Sequence, residues 1–311
     1  AYHRLALTVG ARVRTHSLPG SDLPGIFYMR TIGDVHAIHQ YTGKGKRAVI
    51  VGGGYIGLET AAMLRQTGMQ VTVLEMAERI LGRVTAPEVA GFFSRIHREE
   101  GVEIITGAQV TGFSGKGRVM AVACGDQQNL EADLVIIGIG IIPNVELAQQ
   151  AGLKVDDGIL VNEHCQTSAS DIVAAGDCTR HFNSLFQRSL RLESVQNAVE
   201  QARVAAATVC GKTKEYNALP WFWSDQYDMK LQIAGLSMDY DELVIRGDVG
   251  KGRSFAAFYL KNNVLIAVDA VNRPQEFLLG KQLITAQVEP DKVKLGDTDI
   301  PMKEIVSGSL K

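Results

Sequence analysis

Gly52, Gly54 and Gly57 stand in the spacing G-x-G-x-x-G within AVIVGGGYIGLE, residues 48–59. The chemistry this spacing permits is the capture of a pyrophosphate. Gly52 allows a tight turn after an apolar run, Gly54 lets backbone amides approach the anion, and Gly57 lets the following helix pack on the strand. The anion then rests on a helix N-terminus at Tyr55 and Ile56, where unpaired amides and the helix dipole favour negative charge. About twenty residues on, Glu75 closes the apolar run QVTVLE, where a carboxylate can accept hydrogen bonds from an adenosine ribose. The same carboxylate repels a 2′-phosphate, so NADH is expected rather than NADPH, with Arg79 in the next turn as the counter-argument.

A second nucleotide is indicated downstream. TSASDIVAAGDC, residues 167–178, carries a Thr, six residues, an Ala, one residue and then Gly176-Asp177. It resembles the segment that, in flavoproteins with two dinucleotides, ends a strand with an Asp on the flavin ribityl chain. Gly176 would let the cofactor approach the backbone, and Asp177 would offer its carboxylate to ribityl hydroxyls. Taken alone, Ala-Gly-Asp also fits a loop with a capping Asp. The run GIGIIPN, residues 138–144, lies between the two motifs and adds Gly140 as a candidate contact.

These motifs need a sizeable scaffold, and 311 residues with 46% hydrophobic and 21% charged side chains are enough for two or three domains. A net charge of −2 gives no general attraction to nucleic acid or anionic membrane. The longest apolar run, residues 134–142, is about half of what a membrane-spanning helix needs. The N-terminus lacks the order of a signal peptide, so a cytoplasmic location is expected. Cys124, Cys165, Cys178 and Cys210 are far apart and read as reduced structural thiols rather than metal ligands or a redox pair.

The elements that must position the motifs follow from periodicity. HRLALTVG, residues 3–10, reads as a buried strand, IFYMR as a short strand, and residues 33–40 as a helix. From Arg47 the order is strand, glycine turn, helix, strand, then a helix from Pro87 to about Glu100. Strands near 102–105, 108–113, 117–124 and 133–138 complete a doubly wound sheet with an added meander. A helix spans about 194–210, and its stripe of Ala198, Ala202, Ala205, Ala206 and Val209 should lie close on a sheet. From Pro220 consecutive strands follow, including the hairpin SFAAFYL-KNN-VLIAVDAV, and then a helix after Pro274.

RLESVQNAVEQA (191–202) and PWFWSDQYD (220–228), with AVDAVNRP and KQLIT, resemble the NADH-dependent, FAD-containing ferredoxin reductases of bacterial oxygenase systems over nearly the whole chain. The resemblance implies an α/β fold with two doubly wound dinucleotide-binding domains, glutathione-reductase-like, plus a C-terminal α+β domain. It divides the chain into an FAD domain at 1–41 and 143–219, an NAD domain at 42–142 and an interface domain at 220–311. It implies hydride transfer from NADH to FAD and single-electron delivery to a [2Fe-2S] ferredoxin that feeds a P450 or a ring-hydroxylating oxygenase. Rubredoxin reductase or NADH oxidase activity is the alternative within the family.

Residue by residue, Arg30 of YMRT, Asp177 and Val195 of ESV match family positions that contact FAD. Tyr55 matches the aromatic that covers the flavin until nicotinamide displaces it, and Glu59 an acid near nicotinamide and flavin. Trp223 is the better of two tryptophans for the flavin edge on the exit side. Thr8-Val9-Gly10 departs from the family's Ala-Thr-Gly, at a contact made largely by backbone. The family's first strand, glycine turn and helix for the FAD pyrophosphate, with its Lys near the flavin, are expected to be absent from this chain. That leaves a non-catalytic NAD-binding fragment as a further reading.

Overall fold

The structure, a computed structural model, describes residues 2–125 and 129–309. Ala1, Leu310 and Lys311, where the outer domain bounds were expected, lie outside the described residues. The apolar run at 47–51 forms the central strand Arg47–Val51 of a five-stranded parallel sheet. Its order is Ile26–Phe27, Leu134–Ile137, Arg47–Val51, Gln70–Glu75, Val102–Thr106. Ala48 to Val51 and Leu134 to Ile137 are buried throughout, because both faces of this parallel sheet are covered. The helices Tyr55–Gln66 and Pro87–Glu99 lie against it, the second with Pro87 in its first turn as expected.

The expected strand IFYMR is shorter, since only Ile26–Phe27 pairs. The backbone at Arg30 is instead drawn to the cap of the helix Ile32–His39, where Asp34 accepts from the amides of Arg30 and Thr31. The meander comprises Val110–Ser114, Ala121–Cys124 and Asn129–Glu131. Its middle strand starts later than expected because the chain turns at Gly115 and Gly117. A Cβ on Gly115 would stand 1.8 Å from the Arg118 carbonyl oxygen. The third strand had no sequence signal.

In a separate sheet, Leu5–Leu7 pairs in parallel with Ile172–Ala174, and the helix Val195–Val209 packs beside them. The small-residue stripe expected to face the sheet is corrected by the structure: Ala205 is buried, but Ala202 and Ala206 are exposed. The helix is rotated so that Asn197, Gln201, Val204 and Thr208 point inward. Hydrogen bonds decide this, because Gln201 Oε1 accepts from the Gly176 amide and the Thr179 hydroxyl, each at 2.8 Å, and Asn197 Oδ1 accepts from Tyr216 at 2.7 Å.

The C-terminal sheet is antiparallel, in the order Trp221–Gln226, Met229–Gly235, Val264–Val271, Phe255–Lys261, Glu242–Gly247. The Asn262-Asn263 turn closes its hairpin with both residues at positive φ, a conformation asparagine tolerates. Phe255 to Leu260 are all buried. Phe255, Ala257 and Tyr259 join the core of the parallel sheet's helices, while Ala256, Phe258 and Leu260 meet the core under the helix Pro274–Ala286. One hydrophobic core thus runs from the parallel sheet into the C-terminal sheet and fixes the two against each other.

Candidate functional site

The glycine turn has the form that the spacing requires. Gly52 sits at φ +111°, and a Cβ there would lie 2.3 Å from the Gly138 carbonyl oxygen. A Cβ on Gly57 would lie 2.1 Å from the Gly52 carbonyl oxygen, so both positions exclude any side chain. Gly54 differs. It caps the helix Tyr55–Gln66 with extended backbone, supplies no side-chain cap, and a Cβ there would meet nothing within 4 Å. Ser194 and Thr31 cap their helices with side chains, whereas the helix Tyr55–Gln66 starts with no side-chain cap. Ile56 is half exposed on that first turn. Glu75 is held at the turn, its oxygens accepting from Gly53 at 2.7 Å and Ala77 at 2.8 Å. Arg79 does not reach toward a phosphate: its guanidinium donates to the carbonyls of Gly82 and Thr85.

Tyr55, Glu59, Trp223 and Val195 all border the strand Trp221–Gln226. Alternation places Phe222, Ser224 and Gln226 on one face and Trp221, Trp223 and Asp225 on the other. On the first face, the Tyr55 ring meets Phe222 edge-on with centroids 4.9 Å apart. Ser224 donates to Glu59 Oε1 at 2.6 Å. Burial pushes the Glu59 carboxyl up and the Asp225 charge adds to this, while hydrogen bonds from Ser224 and from the Asp225 backbone oppose it. The Tyr55 hydroxyl is buried without a hydrogen-bond partner, and burial together with Asp269 holds its pKa far above the usual value. On the second face, Trp223 is 41% exposed and lies 5.9 Å from Trp221, over which Lys281 Nζ stands at 5.0 Å. Val195 is exposed on the first turn of its helix, whose next residue, Gln196, accepts from the Trp221 amide at 3.4 Å.

A second cluster gathers residues distant in sequence. Arg30 Nη2 lies 3.6 Å from Asp177 Oδ2, and both side chains keep solvent access. Gly10 packs beside the same guanidinium, and Gly176 holds φ +88° immediately before Asp177. Gly140, at φ +101° with nothing to meet a Cβ, belongs instead beside the first glycine turn, two residues after the Gly138 carbonyl that closes on Gly52. A guanidinium with free donors and a carboxylate with free acceptors, each next to a glycine at positive φ, suit the pyrophosphate and ribityl groups of FAD. The uncapped helix start with Glu75 beside it suits NADH.

Residues 1–202 match the family described as pyridine nucleotide-disulphide oxidoreductase, and residues 221–306 match the reductase C-terminal family. This chain belongs to the pyridine nucleotide-disulphide oxidoreductases. The chain is 47% identical to the putidaredoxin reductase of Pseudomonas putida over 99% of its own length and 74% of that protein. It is 40% identical to the ferredoxin reductase subunit of a Sphingobium 5,5'-dehydrodivanillate O-demethylase, over 98% and 75%. Its fold superposes on a crystal structure of the covalent putidaredoxin reductase–putidaredoxin complex with a TM-score of 0.95 at 47% identity, covering 99% of this chain and 75% of that one.

In this pyridine nucleotide-disulphide oxidoreductase, several residues at the site were not singled out by sequence. Phe222, Ser224 and Gln226 were hidden behind the tryptophans of PWFWSDQ, although their period of two was a usable signal. Asp269 was another, a lone acid in the run VLIAVDAV. It is fully buried, accepts from Tyr259 at 2.5 Å, and burial pushes its carboxyl up to about 7. Cys165 and Cys178 are buried, and burial raises both thiols, Cys165 to about 12, so neither is a thiolate at neutral pH. Among the described residues no helix is long and apolar enough to cross a membrane.

Proposed function

We propose that this protein takes hydride from NADH onto FAD and passes electrons singly to a [2Fe-2S] ferredoxin of the putidaredoxin type, which serves a P450 or ring-hydroxylating oxygenase. The observation that carries this reading is the strand Trp221–Gln226. It touches the acid and aromatic of the NADH helix on one face and presents a half-exposed Trp223 on the other. Family membership and the likeness to a reductase solved with its ferredoxin support it.

NADH is read as resting its pyrophosphate at Gly54, Tyr55 and Ile56, against the close-packed Gly52 and Gly57, with its adenosine ribose on Glu75. Gly140 borders the same crevice. For nicotinamide to enter, the Tyr55 ring turns away from Phe222, and its hydroxyl has no hydrogen bond to break in doing so. The Glu59 carboxylate favours the positive charge that develops on nicotinamide as hydride leaves. Arg30, Gly176 and Asp177 would hold FAD, and Val195, on the first turn of its helix, would offer the flavin a helix N-terminus. When bound, FAD supplies a two-electron acceptor able to release electrons one at a time. Trp223 marks the exit side, with Lys281 over Trp221 as a cation facing an acidic ferredoxin.

We assign residues 1–41 and 143–219 to FAD, 42–142 to NADH and 220–311 to the interface, except that the strand Ile26–Phe27 completes the sheet of the NADH unit. A cytoplasmic location accords with its use of NADH. The test is stopped-flow absorbance of the FAD-loaded protein with NADH, followed by cytochrome c reduction with and without a [2Fe-2S] ferredoxin. Flavin bleaching and carrier-dependent turnover are expected. Equal NADH consumption without a carrier would assign it as an oxidase instead.

A further inference from the structure

Glu59 is one end of a row of buried polar side chains that runs across three elements. Ser224 Oγ donates to Glu59 Oε1 at 2.6 Å, and Gln226 Nε2 donates to Ser224 Oγ at 3.0 Å. Gln226 Oε1 lies 2.9 Å from His97 Nε2, and the Tyr227 hydroxyl lies 3.1 Å from His97 Nδ1. Ser224, Gln226 and His97 are each 0% exposed, so no water competes for these groups. Their donor directions are mutually dictated. Ser224 has one proton, and giving it to Glu59 leaves its oxygen to accept from the Gln226 amide. The Gln226 carbonyl oxygen then faces His97, which must carry its proton on Nε2. Neutral His97, the form burial favours, leaves Nδ1 to accept from Tyr227. Every donor in the row therefore points toward Glu59.

Tyr227 supplies a second observation. It holds φ +56°, a left-handed conformation that a bulky residue adopts at a cost, while its ring meets His97 edge-on at 5.1 Å. That φ belongs to the two-residue turn between Gln226 and Met229, which presents the Tyr227 ring to His97 at the start of the row.

We propose that Ser224, Gln226 and His97 are positioning residues that act as one donor chain, starting at Tyr227, to hold Glu59 oriented and ionised. This rests on the reading of Glu59 as the acid beside nicotinamide. Aligned donors strengthen one another, so removing a distant member weakens the stabilisation of the terminal carboxylate. The other charges facing the row are Asp225 at Glu59, Glu100 at His97 and Tyr227, and Arg65 at Tyr227. None is altered in the variants below.

The test uses FAD-loaded protein with 13C-carboxyl glutamate and 15N histidine, with Glu59→Gln assigning the Glu59 resonance. His97 is expected to be neutral with its proton on Nε2. Ser224→Ala should make Glu59 a roughly tenfold weaker acid, the effect of one lost charge-assisted hydrogen bond. Gln226→Met and His97→Phe should weaken it in the same direction, by roughly threefold or more. His97→Gln, which keeps an N–H near the Nε2 position, should restore the native titration. A His97 proton on Nδ1 would overturn the proposal without any variant. So would Gln226→Met leaving the Glu59 titration unchanged while lowering the melting temperature, since the row would then be packing alone. Stopped-flow hydride transfer with Glu59→Gln separates the two readings. An unchanged rate removes Glu59 from the nicotinamide site, and the titrations still decide whether the donor chain exists.

Discussion

Replacing Gly54 with alanine separates nucleotide binding from folding in one methyl group. The Gly54 backbone is extended at φ −81°, which any residue adopts, and a Cβ there meets no protein atom within 4 Å. The folded protein should accept the methyl with little loss of stability. The same methyl projects over the uncapped start of the helix Tyr55–Gln66, where the pyrophosphate approaches. Loss of one charge-assisted hydrogen bond from an amide to that anion costs about 1.5–3 kcal/mol, which weakens NADH binding by roughly tenfold to 150-fold. The control is Gly57→Ala, whose Cβ would lie 2.1 Å from a backbone oxygen that cannot yield cheaply. That variant should lose about 1–3 kcal/mol of stability together with NADH binding. Fluorescence titration with NADH and calorimetric melting of both variants make the comparison. If Gly54→Ala binds NADH as the native protein does, or melts as early as Gly57→Ala, the open space at Gly54 is not the nucleotide cradle.

Three further outcomes are expected. Glu75→Ala should move the ratio of NADPH to NADH kcat/KM upward by at least about fivefold, the weak limit for one charge pair at ~4 Å in water; an unchanged ratio would locate selectivity elsewhere. Arg246 is 3% exposed, binds Glu276 at 3.2 Å and the carbonyls of Leu295, Asp297 and Ile300, so Arg246→Met should cost about 1–3 kcal/mol in urea unfolding by leaving those carbonyls unpaired, while Arg273 at 3.6 Å still partners Glu276. Asp269 has its folded pKa raised from 3.8 to about 7, so it keeps its proton where the unfolded chain releases it, and its contribution to stability is full below pH 4 and lost as pH rises toward 7. Asp269→Asn should flatten that decline, which is of order 4 kcal/mol at most, in urea midpoints measured between pH 4 and 8; a slope that survives the substitution would point to another group.

Much of this protein is written locally. The glycine turn, the acid at Glu75, the helix start at Pro87 and the Asn262-Asn263 hairpin follow from steric rules acting over a few residues, and the structure has them where their spacing places them. Periodicity fared worse where side-chain hydrogen bonds outweighed apolar pattern. The helix Val195–Val209 turned its polar Asn197 and Gln201 inward because Gly176, Thr179 and Tyr216 offered partners that no local window reveals. Only the tertiary structure could bring Arg30 to Asp177, Ser224 to Glu59 and Gln226 to His97, pairs separated by more than a hundred residues. The last two meetings depend on how the parallel and C-terminal sheets share one core. That depends on packing summed over many residues, whereas the glycine turn depends on the bulk of a single missing Cβ.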